Sequence, residues 1–82
     1  MNEKYHIGGY KYQVGAYVNA SGTYKGVILV TACVGVPYNP IVEIQTPTSF
    51  LAPRAAQFEA NALALELIHT GAITKFLPSQ NE

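Results

Sequence analysis

Charge, cysteine and one of the two acidic residue types are scarce in this chain. Charged residues make up 12% of the 82, about half the ~25% usual for soluble domains, while the hydrophobic fraction of 49% is ordinary. The polar surface must therefore come from Tyr, Thr, Asn, Gln and the backbone. Formal net charge is zero, which removes the self-repulsion that keeps small proteins apart and favours self-association.

Asp is missing altogether, which removes Asp-based metal loops and Asp-containing triads and leaves Glu3, Glu43, Glu59, Glu66 and Glu82 as the side-chain carboxylates. The single cysteine, Cys33, cannot close an intrachain disulfide. It lies in an apolar run with no Lys, Arg or His within six residues to lower its pKa, so it reads as structural rather than nucleophilic. With His6 and His69 far apart and no ligand pair at metal-finger spacing, no metal or cofactor is expected. No catalytic residue is assigned, and a non-catalytic protein is expected. Glu59 and Glu66, seven residues apart on one helix flank, read as a solvated edge.

Long hydrophobic runs are also lacking. The longest, Val27 to Val36, is interrupted by Thr31 and is half the ~20 residues of a membrane-spanning helix. The first nine residues contain no apolar run resembling a signal peptide, so a cytoplasmic setting without membrane contact is expected. Basic residues Lys4, Lys11, Lys25, Arg54 and Lys75 are scattered, unlike the clusters of nucleic-acid binders.

The length suffices for one domain with one thin core, which excludes a catalytic cleft between domains. The expected ordered core is residues 10–77, with flexible tails at 1–8 and 78–82. From Tyr10 the sequence alternates, with Tyr10, Tyr12, Val14, Ala16 and Val18 on one side and Lys11, Gln13, Gly15, Tyr17 and Asn19 on the other. Asn19-Ala20-Ser21-Gly22 is a turn, and a second strand runs from between Thr23 and Val27 to Val36. On it Ile28, Val30, Ala32, Val34 and Val36 share one face, and Val27, Leu29, Thr31, Cys33 and Gly35 the other. Pro37-Tyr38-Asn39-Pro40 is the next expected turn, and Ile41 to Thr46 the third strand, closed by Pro47. Gly8-Gly9 is read as a flexible lead-in.

Pro53 suits a first helical position, Arg54 to His69 is free of Gly and Pro, and Gly71 suits a left-handed cap, which predicts a helix of about four turns ending near Thr70. Ile73 is placed to make the hydrophobic contact beyond that cap. The fold class is therefore α+β: a three-stranded antiparallel meander with one C-terminal helix packed on it, βββα.

That helix carries two apolar arcs. Ala56, Ala60, Leu63, Ala64 and Leu67 form one; Phe58, Ala62 and Leu65, with His69 behind them, form the other. A sheet covers one arc and leaves the second needing a partner, either another chain or residues such as Phe50, Ile73, Phe76 or Leu77 folding back. The leading expectation is a small protein-interaction module, a homodimer or the binder of a protein partner, using Phe58, Ala62, Leu65 and His69. An alternative surface is the sheet face carrying Lys11, Tyr17, Leu29, Thr31 and Cys33. On it, Lys11, Tyr17 and Lys25 suggest a weak nucleic-acid-binding accessory as the second reading of function.

The strand order, the Tyr-rich first strand and Thr48-Ser49-Phe50 followed by Ala56, Ala60 and Ala64 resemble small uncharacterised bacterial proteins of βββα type. The topology is also similar to the βββα part of the double-stranded RNA-binding domain. That domain has an additional N-terminal helix and a Lys-rich start to its last helix, where this chain has Pro53-Arg54-Ala55-Ala56-Gln57 with a single cation.

Overall fold

Two adjacent glycines decide where the sheet begins. In the computed structural model, which describes residues 3–78, Gly8 and Gly9 adopt φ of 60° and 85°. Two successive positive φ values are the pattern of a type I′ turn, whose twist matches the strands it joins. They connect β1 (Glu3–Ile7) to β2 (Tyr10–Val18), with Ile7 opposite Tyr10 and Tyr5 opposite Tyr12. The sheet thus has four strands rather than the expected three. Residues 3–7, expected in a tail ahead of the ordered core, form its first edge. Gly8-Gly9, read from the sequence as a lead-in, is the turn of a hairpin. Residues 79–82, the rest of the other expected tail, lie outside the described residues.

β2 returns through the Asn19–Thr23 loop, where Asn19 N donates to Thr23 O and the Ser21 and Thr23 hydroxyls gather on Asn19 Oδ1 at 2.7 and 2.9 Å. β3 (Tyr24–Cys33) follows as expected, but its end and the start of β4 (Val36–Phe50) do not. The chain reverses at Val34-Gly35, both with positive φ, rather than at Pro37–Pro40. Val34 and Val36 are consequently exposed instead of sharing the face of Ile28 and Val30. Sheet order is β1-β2-β3-β4, antiparallel throughout.

The prolines that suggested breaks are accommodated inside β4 because it is an edge strand. Pairing skips from Ala32↔Pro37 to Val30↔Val42, and again from Val27↔Gln45 to Lys25↔Ser49, so residues 38–41 and 46–48 bow out of the ladder. Proline lacks the N–H that a central strand would need, and such irregular edges resist pairing with another chain.

α1 (Pro53–Thr70) starts with Pro53 in its first turn and ends at Gly71, whose φ of 83° and N–H to Ile68 O supply the expected left-handed cap. It lies across β2, β3 and β4, and Ala56, Ala60 and Ala64 are completely buried beneath it. Half-buried Leu63, Leu67 and Ile68 flank them. The core between the layers is Tyr12, Val14, Ile28, Val30, Tyr38 and Ile44, closed at one end by Ile73 from the 3₁₀ turn Ala72–Phe76. α1 therefore turns its alanine arc to the sheet, and Ile73 and Leu77 fold onto the core rather than over the opposite arc.

Candidate functional site

Docking by alanines leaves Phe58, Ala62, Leu65 and His69 on the solvent side of α1, and all four are exposed, Phe58 by 77% and Leu65 by 42%. Ala62 sits between the two large side chains, so this arc has a low centre and raised ends. Beside it, Ile7, Leu65, Glu66, Ile68 and His69 line an open concavity of about 510 Å³. Ile7 belongs to β1, so the strand that sequence reasoning placed in a tail supplies one wall. His69 lies in the last helical turn, where a cation interacts favourably with the helix dipole.

The second candidate surface is the sheet face away from α1. Pairings across it set Gln13 against Leu29, Gly15 against Val27, Tyr17 against Lys25 and Leu29 against Glu43. Lys11 is exposed, and Tyr17 is exposed by 37%. The Lys25 ammonium donates to Thr46 O at 2.8 Å, which ties down one cation of the expected set.

Cys33 departs from this face. Between Lys11↔Ala32 and Tyr12↔Val30, β3 advances by two residues while β2 advances by one, so Thr31 is the extra residue of a bulge. A bulge reverses the inside–outside alternation beyond it. Cys33 comes to lie opposite Tyr10 and packs with it against the core, while Thr31 Oγ1 donates to Lys11 O at 3.1 Å. Burial, and then the neighbouring Cys33, push the Tyr10 phenol above its usual pKa. The thiol thus belongs to the apolar layer. Among the described residues, no three of His, Cys, Asp and Glu gather closely enough to hold a metal ion.

β1 adds residues to the outer face that strand prediction from Tyr10 onward omitted. Lys4 stands opposite Gln13 and His6 opposite Lys11, and with Thr31 they line an open concavity of about 410 Å³. Gly-Gly flanked by Lys4–Ile7 and the alternating run from Tyr10 was the available hairpin signal.

No helix is long and apolar enough to cross a membrane among the described residues. Comparisons with family models, with curated proteins and with solved structures give no match.

Proposed function

We propose that the protein is a small non-catalytic interaction module that pairs with a second copy of itself through the outer arc of α1. The observation that carries this reading is the exposure of Phe58 and Leu65 on either side of Ala62, beside an apolar concavity, in a chain of zero net charge. An isologous pair of antiparallel helices crossing at Ala62 sets Phe58 of each chain against Leu65 of the other. The low centre permits close approach of the helices. The concavity formed by Ile7, Leu65 and Ile68 then receives the aromatic ring, an arrangement typical of the anchor residues that dominate interface energies.

Sedimentation equilibrium and thermal unfolding over a range of protein concentrations test this reading. A dimer gives a melting temperature that rises with concentration, because association stabilises only the folded chain. The double substitution Phe58→Glu and Leu65→Glu yields a folded monomer, whereas Leu51→Glu, at a still more exposed residue off the arc, leaves the dimer intact. A wild-type protein that is monomeric at high micromolar concentration overturns the reading.

A further inference from the structure

We infer that the outer face of the β1–β2 hairpin is a binding site for phosphoryl oxyanions. It lies on the opposite side of the sheet from α1 and is independent of self-association. Tyr5 and Tyr12 stack on the helix side, with ring centroids 5.2 Å apart and planes inclined by 22°. Strand alternation therefore turns Lys4 and His6 of β1 and Lys11 and Gln13 of β2 to the other face. His6 is directly opposite Lys11, and directly opposed side chains on a sheet have Cβ atoms about 5 Å apart.

The site draws unevenly on a small supply of charge. Two of the chain's five Lys and Arg residues and one of its two His line this one concavity, and among the described residues no carboxylate lines it. Lys4 and Lys11 are diagonal neighbours across the β1–β2 pair, a separation that long side chains span, so both can reach one ligand. Here the complementary charge is absent from the lining. A multiply charged oxyanion supplies it, accepting hydrogen bonds from two ammonium groups, a carboxamide and an imidazole N–H.

The concavity, at about 410 Å³, is within the size range of small-ligand sites. Its ligating groups stand on paired strands, and the Thr31 hydroxyl pins the backbone at Lys11. Such a frame fixes where the two lysine stems leave the sheet, and two ammonium groups rising from neighbouring strands suit an extended diphosphate or a run of phosphodiesters better than a single monovalent anion.

Titrations followed by amide chemical shifts test the assignment, using inorganic pyrophosphate and, separately, a short oligothymidylate at low salt. Saturable shifts are expected at residues 4–6 and 11–13, and Lys4→Gln with Lys11→Gln weakens binding by about tenfold or more, while Arg54→Gln leaves it unchanged. The two arms separate the sources of the phosphate. Shifts that extend along the sheet to Tyr17 and Lys25 with the oligonucleotide identify a nucleic-acid backbone; shifts confined to the hairpin with both ligands identify a free phosphate compound. No shift with either ligand, or shifts spread equally over Lys25, Arg54 and Lys75, overturns the inference. Retention of the folded spectrum by the double variant separates loss of binding from loss of structure.

Discussion

Gly26 of β3 lies directly beneath the Ala56 carbonyl of α1, so close that a Cβ on residue 26 would collide with that oxygen and also meet Thr46 Cγ2 at 2.8 Å and Ala60 Cβ at 3.0 Å. The helix can approach the sheet only because both sides of the contact are small. This contact fixes which arc of α1 is buried and hence which is free.

Gly26→Ala is expected to lower stability by about 2–3 kcal/mol, since the nearest atom is backbone that cannot rotate away. Gly22→Ala serves as the contrast: its φ of 87° brings strain of about 1 kcal/mol, but nothing lies within 4 Å of the added carbon. Urea unfolding of the two variants gives the order. Equal losses would contradict a close approach at Gly26.

Thr46, completely buried, serves the same junction. Its Oγ1 accepts the Gly26 N–H at 3.0 Å and donates to Thr48 O at 3.0 Å, bridging the gap where residues 46–48 bow away from β3. Thr46→Val keeps the shape and strands a buried amide, for an expected loss of about 1–3 kcal/mol. Thr46→Ser retains the hydroxyl and should recover most of that loss. A valine variant as stable as wild type would remove the hydrogen bond from the account of the fold.

Val34 is the one non-glycine residue with positive φ among the described residues, at 49°, and it is 77% exposed. A β-branched side chain is strained in this region, while Asn tolerates it and Asn-Gly is the preferred pair for such turns. Val34→Asn is therefore expected to raise stability by about 1 kcal/mol, read as an upward shift of the urea midpoint with unchanged slope. A lower midpoint would mean that the exposed valine makes a contact worth more than the strain.

Burial pushes the Tyr12 phenol above its ordinary pKa of 10.0, and Tyr10 is shifted the same way. The folded state holds these protons more tightly than the unfolded chain does. Their contribution to stability is thus complete below pH 10 and declines as pH rises through the higher folded-state values. Tyr12→Phe loses a 3.3 Å hydrogen bond to Asn61 Oδ1 and costs about 0.5–1.5 kcal/mol at neutral pH. The same variant should show a shallower alkaline decline; an identical decline would exclude Tyr12 as a contributor.

Local chemistry carried much of the architecture into the sequence. Pro53 and Gly71 bounded the helix because each has a backbone constraint that acts regardless of context, and Asn19–Gly22 made its turn for the same reason. Prolines 37, 40 and 47 misled, because their effect depends on whether a strand is central or at an edge. The Thr31 bulge was invisible to a period-2 reading, which assumes an unbroken ladder, and so Cys33 was assigned to the wrong side of the sheet.

The sequence by itself determined an α+β chain, the span of its helix and the existence of two apolar arcs on that helix, since periodicity and capping are properties of neighbouring residues. The tertiary structure decided that the alanine arc is the buried one and that Phe58, Ala62, Leu65 and His69 face solvent. It also brought Lys4 and His6 alongside Lys11 and Gln13. These outcomes depend on contacts between distant segments, Gly26 with Ala56 and β1 with β2, where the available space and strand register choose among arrangements that local propensity leaves equivalent.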